Sequence, residues 1–221
     1  MKLQSPNTQT RCAFLLVAGA LLCACVQGVR LSDDDRAHLA GQPAIHVLHY
    51  ETPLPRIKAG DGAAPAAVRR HAAADPAALI AQGFSRLLGK KEKLKNLRVE
   101  ARALPRPVAN DASRYRDKYR RGLVLELWVN EWSFAPLHED TKTYTKTYAM
   151  TLGARSRLAR VEDGRVLWST GGCNVDGNHS NRELRLAGTE LTSGTKLRKL
   201  LAAARDECAR QLVRNFGVHG S

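Results

Sequence analysis

The chain has 221 residues, of which 43% are hydrophobic and 25% are charged, and its formal net charge is +14 at pH 7. The length suits one domain with a hydrophobic core better than two. The excess of Lys and Arg favours an anionic partner such as a nucleic acid, a membrane surface or an acidic polymer. A basic surface without a specific anionic ligand is equally compatible with this composition.

The N-terminus carries an apolar run, CAFLLVAGALLCAC, over residues 12–25, and the only charges before the run are Lys2 and Arg11. This order is typical of a secretory signal peptide. The run is shorter than the roughly 20 residues that a helix needs to cross about 30 Å of hydrocarbon, so we expect cleavage or lipid anchoring instead of a membrane span. We therefore assign residues 1–24 to a signal peptide, whose removal takes away Lys2 and Arg11 and lowers the net charge from +14 to +12.

The end of this run, LCAC, resembles the lipobox of bacterial lipoproteins, in which Leu, a small residue and Gly or Ala precede an invariant Cys. Leu22, Ala24 and Cys25 match, whereas Cys23 replaces the usual Ala, Ser or Thr. The resemblance implies that Cys25 is the first mature residue and carries diacylglycerol and an amide-linked acyl chain such as palmitate. Val26 replaces the Asp that often retains such proteins in the inner membrane, which implies the outer membrane, facing the periplasm. Ordinary signal-peptidase cleavage after Cys25 is the alternative and gives a soluble periplasmic protein.

The mature chain is interpreted as a membrane tether followed by one domain. Residues 25–42 are polar and show no apolar periodicity, so they are assigned to a lipid-anchored tether, and residues 43–221 to a single α/β domain. Residues 44–50 alternate apolar and polar side chains and predict a short strand. Residues 59–78 are rich in Ala and Pro and predict a long surface loop.

A helix, a strand and a short helix follow. Asp75 and Pro76 are typical of an N-cap and a first helical residue, and Gly89 is a natural stop. Residues 97–103 alternate as in a half-buried strand, and residues 111–121 predict a short basic helix.

The strongest strand signal is LVLELWVNEWSF, over residues 123–134. Strict alternation places Leu123, Leu125, Leu127 and Val129 on one face and Val124, Trp128, Trp132 and Phe134 on the other. Aromatic residues exposed on the strand face of Trp128, Trp132 and Phe134 would form a protein-binding patch. A second long strand follows over residues 143–161, and Asp163 and Gly164 mark a hairpin turn into residues 166–175.

The last helix is capped by Thr192 or Ser193 and runs to about Phe216. Together these elements predict an α+β fold with a mostly antiparallel sheet of about five strands and two main helices packed on it. This element order behind a lipobox is similar to that of small envelope lipoprotein domains, such as the curli-secretion subunit and the lipoprotein activators of penicillin-binding proteins.

Two of the five cysteines remain for the fold. Cys12 and Cys23 leave with the signal peptide and Cys25 takes the lipid, so Cys173 and Cys208 are expected to form a disulfide in an oxidising compartment. Two buried free thiols are the alternative.

No catalytic or metal-binding motif stands out in the sequence. Cys-x-x-Cys, His-Glu-x-x-His, a P-loop and a Gly-x-Ser-x-Gly elbow are all missing, so we expect no metal, no cofactor and no enzymatic activity. His46 and His49 lie three apart on a strand, where their side chains point to opposite faces. No basic-aromatic or zinc-finger pattern indicates nucleic-acid binding.

The basic residues favour an anionic surface as a partner. The expected binding residues are Lys90, Lys91, Lys93, Arg116, Arg120 and Arg121. Our leading hypothesis is a non-enzymatic, lipid-anchored envelope protein that serves as an accessory or assembly subunit for another envelope protein, next to anionic lipid or a cell-wall polymer. The alternative is a soluble periplasmic binding protein for an anionic ligand.

Overall fold

The structure is a computed structural model that describes residues 28–57, 68, 75–105, 115–140, 145–177, 182–191 and 193–216. These residues form eight strands: β1 (Ile45–His49), β2 (Arg56–Ile57), β3 (Leu97–Val99), β4 (Leu123–Asp140), β5 (Thr145–Arg160), β6 (Val166–Ser169), β7 (Cys173–Asp176) and β8 (Arg185–Ala187). They also form the helices α1 (Asp33–Leu39), α2 (Pro76–Lys91), α3 (Arg116–Tyr119), α4 (Gly188–Leu191) and α5 (Gly194–Phe216), with a 3-10 turn at Arg182–Leu184.

All eight strands belong to one mixed sheet. β1 lies between β3 and β4 and runs parallel to both, and β2 is also parallel to β4. β5 is antiparallel to β4, and β6, β7 and β8 pair with successive parts of β5 in antiparallel fashion. The fold is α+β, but the prediction of a mostly antiparallel sheet of about five strands is wrong.

The error has two physical causes. β1, α2 and β3 form a strand–helix–strand crossover, which is the connection that a parallel pair of strands requires. The strands β2 and β8 have two and three residues, too few for a two-residue periodicity to be visible.

The helices α2 and α5 cover one side of the sheet, called here the helix face. Asp75 caps α2 by accepting a hydrogen bond from the Ala77 N–H at 3.0 Å, as the sequence predicts. The helix continues two residues past Gly89. A Cβ on Gly83 would lie 3.3 Å from the Ala209 Cβ, so the missing side chain lets the two helices approach closely. The resulting core is continuous with the sheet residues beneath it.

A β-bulge in β4 overturns the predicted assignment of its faces. The register with β5 shifts between Val129 and Glu131, and one extra residue reverses which side of the sheet the side chains from Glu131 to Pro136 take, up to a second shift between Pro136 and His138. Trp132 and Phe134 therefore join Leu127 in the core on the helix face, where they are 6% and 1% exposed. The aromatic binding patch that strict alternation predicted does not form from these two residues.

Cys173 and Cys208 form a disulfide that links β7 to α5, with their Cα atoms 5.1 Å apart. Both residues are buried in the core. This agrees with the pairing expected from the sequence, and it fixes α5 to the sheet.

Candidate membrane-proximal end of the domain

The described residues begin at Gly28, three residues after Cys25, and Cys25 and the expected signal peptide over residues 1–24 lie outside them. The Val29 N–H donates to the Ser169 hydroxyl at 2.9 Å, and the Ser169 N–H donates to the Val29 carbonyl at 2.8 Å. A Cβ on Gly28 would lie 2.3 Å from the Ser169 carbonyl oxygen, so no side chain fits at this position. Gly28 and Val29 are thus held against the outer edge of β6.

The helix α1 lies inside the segment that we assigned to a tether. The Ser32 side chain caps it by accepting from the Asp35 N–H, and Leu39 is buried in the core. The Arg36 guanidinium donates to Glu92 at 2.8 Å and to the Phe216 carbonyl at 3.0 Å. Arg36 therefore joins α1 to the C-terminal ends of both α2 and α5.

A second contact fixes the turn after α1. The Asn96 side-chain amide donates to the carbonyls of Leu39 and Gln42, at 3.0 and 2.8 Å. The sequence signal for this helix is Ser32 followed by three Asp residues, because a serine cap and acidic residues in the first turn favour a helix start. That signal is too short to show an apolar periodicity.

A groove of about 430 Å³ lies beside Gly28. Residues 28–33 form one wall, and Arg36, residues 168–171, Asn215 and Phe216 complete the lining. Residues 28–33, the end of α5 and the end of β6 therefore meet at one end of the domain.

Three of the expected anionic-surface residues lie at this same end. Lys90 and Lys91 are the last residues of α2, and Lys93 follows with a positive φ of 55°. All three are exposed. The Lys91 ammonium donates to the Val213 carbonyl of α5 at 3.2 Å. Asp33 and Asp34, the first residues of α1, lie a few residues after Gly28 and are exposed. This end of the domain therefore carries charges of both signs.

The other three expected residues belong to a different surface. Arg116 is the first residue of α3, and Arg120 directly follows this helix. The helix α3 packs on the side of the sheet opposite the helix face, called here the second face. Arg121 follows them, just before β4, and all three are exposed. The Arg116 Nε donates to the Val161 carbonyl at 3.3 Å. The six basic residues thus divide into two groups carried by elements on opposite faces of the sheet.

The second face contains a buried polar cluster that sequence patterns did not reveal. One carboxylate oxygen of Glu126 accepts hydrogen bonds from the hydroxyls of Tyr50 and Tyr115, and the other accepts from the Arg157 Nε. Burial raises the pKa of Glu126, but the hydrogen bonds from Arg157, Tyr115 and Tyr50 outweigh it and leave the pKa below its ordinary value. A charged Glu126 therefore anchors the segment that leads into α3.

A buried histidine ion pair lies at the start of α2. The His49 Nδ1 is 3.5 Å from an Asp75 carboxylate oxygen, and its Nε2 is 3.0 Å from the Glu100 carbonyl. Thr52 donates to the other Asp75 oxygen at 2.7 Å. The Asp75 carboxylate beside Nδ1 raises the pKa of His49, because it stabilises the charged imidazolium. His46 lies on the second face instead, with its Nδ1 3.2 Å from a Glu100 carboxylate oxygen.

Within the described ranges, no group of three or more His, Cys, Asp or Glu side chains is placed to hold a metal ion. In the same part of the chain, no helix is long and apolar enough to cross a membrane.

No protein-family model matches the sequence, and no curated protein matches it. Several solved structures are similar in outline at low identity. The PelC dodecamer from Paraburkholderia phytofirmans is 16% identical, with 81% of this chain and 95% of that chain covered and a TM-score of 0.30. Lipoprotein GNA1162 from Neisseria meningitidis is 14% identical, with 75% and 99% covered and a TM-score of 0.28. The hypothetical protein CT253 from Chlamydia trachomatis is 11% identical, with 80% and 99% covered and a TM-score of 0.31. Likeness at this level carries no argument about what this chain does.

Proposed function

We propose that this chain is a non-enzymatic lipoprotein of the cell envelope, anchored through Cys25 to the outer membrane and facing the periplasm. The observation that carries the proposal is the lipobox-like LCAC, whose Cys25 lies three residues before the contact that holds Gly28 and Val29 against Ser169. A lipid on Cys25 would hold the groove, α1 and the ends of α2 and α5 against the bilayer. The buried Cys173–Cys208 disulfide supports export, because such bonds persist in oxidising compartments.

In this proposal the domain serves as an accessory or assembly subunit for another envelope protein, without a cofactor, a metal or a nucleic-acid partner. The short link from Cys25 to Gly28 restricts how the domain turns on its anchor, because three residues extend at most about 10 Å. A partner would therefore meet a defined orientation of the sheet and helices.

The test is membrane fractionation of cells that produce Cys25→Ser, with Cys23→Ser as the matched control. We expect Cys25→Ser to lose both membrane association and labelling by a clickable palmitate analogue, and Cys23→Ser to keep both. Unchanged membrane association of Cys25→Ser would contradict the lipid anchor. Release of both variants from the membrane would contradict the special role of Cys25.

The proposal gives anionic lipid a secondary role at Lys90, Lys91 and Lys93. Each basic residue close to an anionic bilayer contributes about 1 kcal/mol, so replacing all three by Gln weakens binding by up to about 150-fold. The measurement is co-sedimentation of the unlipidated mature chain with vesicles that contain 30% phosphatidylglycerol, at low and at high salt. Binding that responds neither to salt nor to the triple replacement would contradict this role.

A further inference from the structure

A small apolar cavity lies between the helices and the sheet, away from the groove beside Gly28. Its volume is about 220 Å³. The apolar part of its lining comes from both helices and from two central strands, and consists of Pro76, Leu79, Trp132, Leu152, Leu201 and Ala202. Trp132 reaches this lining only because the bulge in β4 turns it to the helix face.

Two arginines complete the lining of this cavity. Arg198 and Arg205 are seven residues apart on α5, so they lie two turns apart on the same side of the helix as Leu201 and Ala202. Arg198 is exposed and has no ion-pair partner among the described residues. Arg205 is paired with its neighbour Asp206 at 3.1 Å, and their side chains are 28% and 44% exposed.

The lining of the cavity is complementary to an amphipathic anion. Its apolar side chains come from α2, α5, β4 and β5, and its two cations lie on one side of α5. An apolar cavity with cationic side chains at its rim suits a molecule with an aliphatic tail and an anionic head.

We infer that this cavity binds a medium-chain fatty acid carboxylate, with its aliphatic chain against Trp132, Leu152 and Leu201 and its carboxylate at Arg198 and Arg205. The volume lies below the roughly 300–1,000 Å³ of pockets for drug-sized ligands, which favours a chain of about seven or eight carbons over a full phospholipid tail. Guanidinium groups bind carboxylates in paired, charge-assisted hydrogen bonds.

The position of the cavity separates it from the proposed anchor. Pro76 and Leu79 belong to the first turn of α2, whereas the membrane-proximal end holds its last residues, Lys90 and Lys91. A helix of 16 residues is about 24 Å long, so the two sites lie at opposite ends of α2. The ligand would thus be taken up from the aqueous side and not from the anchoring leaflet.

The experiment is calorimetric titration of octanoate into the mature chain from residue 25 carrying Cys25→Ser, which needs no detergent and retains every described residue. We expect saturable one-to-one binding that Arg198→Ala combined with Arg205→Ala weakens by about tenfold or more. Ala202→Phe, which fills the cavity, is expected to abolish binding. Lys199→Ala, an exposed cation on the same helix that does not line the cavity, is expected to stay within about twofold of the parent chain.

Neutral octanol tests the role of charge and is expected to bind at least about tenfold more weakly than octanoate. Circular dichroism of each variant shows whether it is folded, and a misfolded Ala202→Phe is replaced by Ala202→Leu. Lack of saturable octanoate binding, equal affinity for octanol, or unchanged binding in the cavity-filling variant would each overturn the inference. These results do not depend on whether Cys25 is lipidated.

Discussion

Replacing Glu126 by Gln is expected to destabilise the domain strongly, because it removes the charge that balances a buried guanidinium. Glu126 is fully buried and Arg157 is 6% exposed. Removing one partner of such a pair leaves an uncompensated buried charge and lowers the free energy of unfolding by about 3–5 kcal/mol. This is a large fraction of the roughly 5–15 kcal/mol that stabilises a typical domain.

The same cluster predicts a pH dependence. The pKa of Glu126 in the folded protein lies below its ordinary value of 4.5, so its contribution to stability is complete above pH 4.5 and is lost as the pH falls through the folded-state pKa. The Gln variant lacks this contribution and is expected to approach the parent protein in stability under acidic conditions.

The assay is urea unfolding at pH 7 and at pH 3 to 5, followed by tryptophan fluorescence. Glu131→Gln is the matched control, because Glu131 is exposed on the same strand, and its effect should stay within about 0.5 kcal/mol. Combining Glu126→Gln with Arg157→Met removes both charges, so the double variant should lose less stability than the two single variants added together. A cost below about 0.5 kcal/mol for Glu126→Gln, or full additivity of the pair, would refute this reasoning.

Three further predictions concern other parts of the fold. Replacing Cys173 and Cys208 by Ala should lower the free energy of unfolding by about 3–4 kcal/mol, because the disulfide closes a loop of 35 residues, and denaturant titration measures this. The His49 imidazole should titrate above its ordinary pKa of 6.5 in an NMR pH titration, and Asp75→Asn should lower that pKa. The ion pair between His49 and Asp75 stabilises the fold fully below pH 6.5, and this stabilisation is lost as the pH rises through the folded-state pKa of His49. Gly28→Ala should release residues 28–31 from β6 and increase the amide hydrogen exchange of Ser169, whose N–H donates to Val29.

Each of these predictions has its own contrary result. Gly171→Ala is the control for Gly28→Ala, because a Cβ at Gly171 meets nothing within 4 Å, and equal exchange in both variants would contradict the close approach at Gly28. A His49 pKa at or below 6.5 would contradict the ion pair with Asp75. Unchanged stability after removal of both cysteines would contradict the link between β7 and α5.

Local signals in the sequence predict the elements whose causes are local. The cap at Asp75 and the proline after it locate the start of α2, and the apolar alternation of β5 places Tyr148 and Met150 in the core. The pairing of Cys173 with Cys208 follows from counting cysteines once the compartment is assumed. These conclusions need no knowledge of which strands are neighbours.

The remaining features depend on long-range pairing. Strict alternation assigns Trp132 to the wrong face because the bulge after Val129 is created by pairing with β5 and leaves no clear mark in the sequence. The Glu126 cluster joins β4 and β5 with the residue after β1 and the residue before α3, so Tyr50 and Arg157 reach Glu126 only in the folded sheet. For the same reason the six basic residues, which are close in sequence, lie on elements of opposite faces.

Intact-mass measurement of the mature protein from membranes tests the central proposal most directly. If Cys25 is the lipidated first residue, the mature chain begins at Cys25 and carries the mass of a diacylglyceryl group and an amide-linked acyl chain. An unmodified chain that begins at Val26, or a chain that retains residues 1–24, would contradict it.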